Sequence, residues 1–140
     1  MTLEAHYREK LPHRARGVRD LERRVGGVVA EIDERLARQD VVRILELGCG
    51  YGTALLELDA RYGRHVELHG INASHGDGNP EILLRNATER GLVGADFILP
   101  TIAYGDVAEG LPFETDSFDL VVSQVAWLYF GNKVGVVQEV

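Results

Sequence analysis

The chain has 140 residues, 45% of them apolar, and a formal charge of -7 from 15 basic and 22 acidic side chains. That length suffices for one domain with a modest core, and the acidic balance weighs against nucleic acid as an electrostatic partner. A single cysteine, Cys49, excludes an internal disulfide and a multi-cysteine metal cluster, and no apolar run approaches the roughly 20 residues that span a bilayer.

The first residues, M-T-L-E-A-H-Y-R-E-K-L-P, hold no apolar signal core. A soluble, cytoplasmic chain without a membrane partner is therefore expected. Residues 1–17 are polar and read as a short helix or an arm. From Val18 the apolar positions Leu21, Val25, Val28, Val29, Ile32 and Leu36 follow steps of three and four, one face of a helix. Gly26-Gly27 inside it costs about 1–2 kcal/mol against alanine. Residues 1–40 thus form an N-terminal helical segment ahead of a second unit, residues 41–140.

The second unit opens on Val41–Leu47, an apolar strand. Gly48, Gly50 and Gly52 follow at alternate positions, then a helix over Thr53–Arg61 that Gly63 ends. Glycine there permits a tight turn and a close ligand approach, and the N–H groups opening the helix favour a polar or anionic group. A second strand is expected over His65–Ile71. The stretch N-A-S-H-G-D-G-N-P reads as a surface loop, with Asn79 as N-cap and Pro80 in the first turn of a helix to Arg90. A third strand is expected near Asp96–Leu99, limited by Pro100. Leu111-Pro112-Phe113 marks a turn, Phe118–Ser123 a fourth strand, and a last helix starts near Asn132. Strand alternates with helix, so the fold class is α/β with a mostly parallel sheet and right-handed crossovers.

The spacing G-x-G-x-G differs from the dinucleotide fingerprint G-x-G-x-x-G, with Thr53 where the third glycine would stand. A plain strand-to-helix turn without a ligand is the bland alternative. E-L-G-C-G-Y-G resembles motif I of the class I methyltransferases that use S-adenosylmethionine. H-G-I-N at the end of strand two, Y-G-D-V after strand three and L-P-F-E-T-D-S-F-D-L-V-V-S-Q into strand four keep the register of that family over roughly residues 40–139.

The resemblance implies a Rossmann-like sheet, S-adenosyl-L-methionine as cofactor, and methyl transfer to a small-molecule acceptor. It places Gly48, Gly50 and Gly52 against the amino-acid part and ribose of the cofactor. Glu46 would lie under the methionine end, with Tyr51 flanking it. Asp106 would face the adenine amino group, with Val107 beside it, and Gln124 would face cofactor and substrate. Asn72 departs from the family, which ends strand two with an acid. An asparagine would accept from one ribose hydroxyl and donate to the other, or Ser74 or Asp77 would substitute. The family sheet has seven strands in the order 3-2-1-4-5-7-6, and this sequence supplies four. The domain is therefore expected to be partial, with strand four open to a second copy or a completing partner.

The remaining polar residues keep bland readings. Cys49 reads as packing rather than nucleophile. His65 and His69, on one side of a strand, read as ordinary strand residues, and His75 with Asp77 lacks a third metal ligand. Asp116 and Asp119 read as structural. Trp127, Tyr129 and Phe130 form either a substrate wall or a core cluster. No general base stands out, with His6, Tyr7 and His13 as N-terminal candidates. A catalytically inactive cofactor-binding or structural relative, or a different nucleotide-binding α/β protein, are the competing readings.

Overall fold

The computed structural model of the chain describes residues 21–106 and 117–123, with side chains from Val28 onward. Its elements are α1 (Leu21–Leu36), β1 (Val42–Leu47), α2 (Thr53–Tyr62), a 3-10 turn (Gly63–His65), β2 (Val66–Asn72), a second 3-10 turn (His75–Asp77), α3 (Pro80–Glu89), β3 (Thr101–Tyr104) and β4 (Leu120–Val122). All strand pairs are parallel, in the order β3-β2-β1-β4. This is the Rossmann-like α/β arrangement read from the sequence. Among the described residues no helix is long and apolar enough to cross a membrane.

Alternation along the strands splits the core by face. Val42 and Ile44 of β1 join Val66 and Leu68 of β2, packed with Ile32 of α1 and Leu55 and Leu58 of α2. Leu45 and Leu47 join Ile71 on the other face, with Ala103, Phe118 and Val121 against them. Ile32 is fully buried in the sheet's own core, so α1 is part of the packing around β1. Each fully buried side chain of this size is worth about 1.5–3 kcal/mol.

Several boundaries differ from the sequence reading: β1 starts at Val42 rather than Val41, α2 runs one residue further to Tyr62, α3 ends one residue earlier at Glu89, and the other three strands shift as well. The third strand lies over Thr101–Tyr104, after Pro100 rather than before it. Residues 94–97 instead form a turn in which Phe97 N–H donates to the Gly94 carbonyl at 3.2 Å. Proline lacks an N–H, so it suits the approach to a strand better than its paired interior. T-I-A-Y then brings β-branched and aromatic residues to the ladder. The second strand begins at Val66, because His65 belongs to a 3-10 turn, and it runs on to Asn72. The fourth is only Leu120–Val122. The expected 111–113 turn and the helix from Asn132 lie outside the described residues.

The helix starts follow local chemistry. Asn79 accepts from Ile82 N–H at 3.1 Å and Pro80 occupies the first turn of α3. Gly52 caps α2 in the left-handed region and contributes no side-chain acceptor.

Candidate functional site

β1 is the switch point of the sheet. The chain steps from β1 to β2 to β3 on one side, and β4 lies on the other. In open α/β sheets ligands bind outside the carboxyl ends of the strands at such a point. The turn Gly48–Gly52 stands there. Its three glycines have φ of 68°, 57° and 75°, a region that strains any side chain with a Cβ.

The turn is fastened on several sides. Gly48 and Cys49 N–H both donate to the Ile71 carbonyl, at 2.8 and 3.2 Å. Asn72, 3% exposed at the end of β2, accepts from Gly50 N–H at 2.8 Å through Oδ1. Its Nδ2 donates to the Gly50 carbonyl at 3.1 Å and to the Gly78 carbonyl at 3.0 Å. Asn86, fully buried on α3, donates to the Tyr51 carbonyl at 3.1 Å. Leu83 of α3 closes on Gly52 so tightly that an added Cβ would stand 2.7 Å from its Cγ. The second βα unit therefore shapes the first one's turn.

The two Nδ2 hydrogens of Asn72 thus serve Gly50 and Gly78. Asp77, one offered substitute, accepts from Ser74 N–H and from Ser74 Oγ, both at 3.1 Å. That pair closes the loop on itself.

The structure brings several expected residues to one end of the sheet. Gly48 is exposed and Gly50 half-buried, so the start of the turn is open to a ligand. Glu46 is buried near the carboxyl end of β1, in register with Gly70 on one side and Val122 on the other. Asp106 is exposed just beyond β3, and Gly105 N–H donates to the Asn72 carbonyl at 3.0 Å, tying that end to β2. Tyr51 is packed inside the protein at 1% exposure. Val107 and Gln124 lie outside the described residues, as do His6, Tyr7, His13, Asp116, Trp127, Tyr129 and Phe130.

The other candidates sort by position. Cys49 is buried, and an added Cβ on Gly70 would collide with its sulfur, so it fills the space over Gly70 beside Leu55 of α2. His65 sits at the amino end of the strands, 3.3 Å from the Asp40 carbonyl. His69 pairs with Glu67 at 3.0 Å and meets the Phe118 ring edge-on. No group of three or more metal-ligating side chains occurs among the described residues. His75 and Tyr104 lie with ring centroids 5.7 Å apart, both exposed, above the ends of β2 and β3. Burial first, and Cys49 second, hold the Tyr104 phenol above its ordinary pKa.

Sequence reading missed Asn86. It lies on the buried stripe of α3 with Ile82, Leu83 and Ala87, and an amide on an apolar stripe signals a buried polar partner.

A model of the methyltransferase domain family matches residues 44–140. A glycine/sarcosine/dimethylglycine N-methyltransferase of Actinopolyspora halophila is 34% identical over 98 residues, 70% of this chain and 16% of that protein. Aklanonic acid methyltransferase DauC of Streptomyces sp. (strain C5) is 31% identical over 93 residues, 66% of this chain and 39% of that one. Among solved structures, the YcgJ protein of Bacillus subtilis superposes with a TM-score of 0.55 at 27% identity, over 72% of this chain and 38% of its own. The chain thus spans less than half the length of each of these proteins. It belongs to the methyltransferase domain family, the class I methyltransferases that use S-adenosylmethionine.

Proposed function

We propose that the carboxyl ends of β1, β2 and β3 bind S-adenosyl-L-methionine and that the chain takes part in methyl transfer to a small-molecule acceptor. The observation that carries this reading is the glycine turn at the switch point of the sheet. Its open start, Gly48 and Gly50, presents backbone without a Cβ to a ligand. The α2 N-terminus behind it adds the positive end of a helix dipole, suited to the carboxylate of the cofactor's amino-acid part.

Glu46 lies near the methionine end in this reading and Asp106 faces the adenine amino group. Val107 and Gln124 complete the set by their place in the family's motif order. When bound, the cofactor supplies a methyl group activated on sulfur. The chain's share is to orient it and to exclude water, the main sources of rate for such a transfer. An acceptor that is a weak nucleophile would need a base as well, and none of the described residues stands out as one. A small acceptor fits the acidic balance of the chain and the acceptors in the names of the two relatives.

Calorimetry with S-adenosylmethionine, S-adenosylhomocysteine and NAD tests the cofactor. Binding of the first two alone is expected. No binding at millimolar concentration would sink the reading. Methyl transfer is then assayed separately with glycine, sarcosine and an aromatic acid, since binding does not establish turnover.

A further inference from the structure

We propose that Asn72 is a positioning residue whose neutral amide, rather than a contact to ribose, sets the shape of the cofactor turn. The proposal rests on the cofactor reading above. Two carbonyl oxygens converge on Nδ2, Gly50 at 3.1 Å and Gly78 at 3.0 Å, while Gly50 N–H donates to Oδ1 at 2.8 Å. The side chain is 3% exposed, so water does not replace a lost partner. Gly78 is built into the same contact. Its φ of 152° and its press against the Gly50 carbonyl leave no room for a Cβ. The loop His75–Gly78 and the glycine turn are thus joined through one carboxamide.

A carboxylate at position 72 would keep the acceptor for Gly50 N–H. It would also set a charged oxygen against two carbonyl oxygens at hydrogen-bond range, with little solvent to relieve them. The acid that would serve ribose in a differently built turn is therefore the wrong group in this one. Asn72 acts through Gly50, and Gly50 through its backbone on the ligand.

The test measures S-adenosylhomocysteine affinity by calorimetry on the full chain, as N72D and G78A relative to wild type, at pH 8 and pH 5.5. N72D is expected to bind roughly ten- to a hundredfold more weakly at pH 8. Burial and the two carbonyls disfavour the charged form of the new carboxyl, so a larger share of it is protonated at the lower pH and can donate to one of them. The deficit of N72D therefore shrinks at pH 5.5. G78A is expected to lose affinity equally at both pH values, because it adds no titrating group. An N72D chain that folds only at pH 5.5 meets the same expectation. N72D binding as tightly as wild type at pH 8, or more tightly, overturns the proposal and restores Asn72 as a ribose ligand. A wild type that does not bind at all instead brings down the cofactor reading.

Discussion

The two flanks of β1 are built differently. Toward β2 the ladder has six register pairs, Val42↔Val66 through Leu47↔Ile71. Main-chain and asparagine bonds carry it past the strand ends into the glycine turn. Toward β4 it has three pairs, Ile44↔Leu120 through Glu46↔Val122, and the β4 residues are half-buried. That flank is pinned near its start by a carboxylate. Asp119 accepts from Arg43 N–H at 2.8 Å and from Gln39 Nε2 at 3.2 Å. The structural role expected of Asp119 is visible in those bonds. One flank holds the glycine turn through buried amides, and the other depends on a short ladder with a partly exposed charge.

The largest effect separates the flanks by packing. Ile71→Ala is expected to cost about 3 kcal/mol in urea unfolding, because Ile71 is fully buried between strands. Val121→Ala on the β4 flank is expected to cost about 1 kcal/mol. Equal costs would mean that the two flanks are packed alike.

Asn86→Ala is the next test. It strips the Tyr51 carbonyl of a buried donor and is expected to cost about 2 kcal/mol. A cost near zero would mean that the turn does not need α3. Asn79→Ala removes the cap of the same helix and is expected to cost about 1 kcal/mol by the same measurement.

Charge on the β2 flank should matter least. Arg43 and Glu67 pair at 3.0 Å but are 44% and 47% exposed, so Arg43→Ala is expected to change stability by less than about 0.5 kcal/mol. The His69 hydrogen bond, ahead of the bonds from Arg43, holds the Glu67 carboxyl below its ordinary pKa. A depressed pKa gives stability that is present above the unfolded value and lost as pH falls through the folded one. Arg43→Ala should therefore lower the neutral plateau of a stability-against-pH curve by that small amount and slightly flatten its acid limb, the two curves converging at low pH. A drop of more than about 0.5 kcal/mol at neutral pH would mean that the pair carries more of this flank than its exposure allows.

The sequence disclosed the parts whose chemistry is local. An apolar run, alternate glycines and the N-P-E start of α3 each carry their cause within a few residues. The third strand slipped because Pro100 marks a boundary without saying which side is paired. Asn72 stands out in the sequence as a departure, yet its partners are Gly50, 22 residues upstream, and Gly78 on the far side of a loop. A residue's donors and acceptors can be read from its type; the groups they meet depend on how the turn is folded. Asn86 left a local trace, a polar residue among Ile82, Leu83 and Ala87, although Tyr51 is 35 residues away.

A carboxamide is a peptide group carried on a side chain. Where Asn72 accepts from Gly50 N–H and donates to the Gly50 carbonyl, it serves as one more rung after the last backbone pair of β1 and β2. The glycine turn is in this sense the sheet's final step, and its opening is tied to the unzipping of two central strands. Its Gly50 amide should then exchange with deuterium at the slow rate of β1, where an ordinary surface loop would exchange fast.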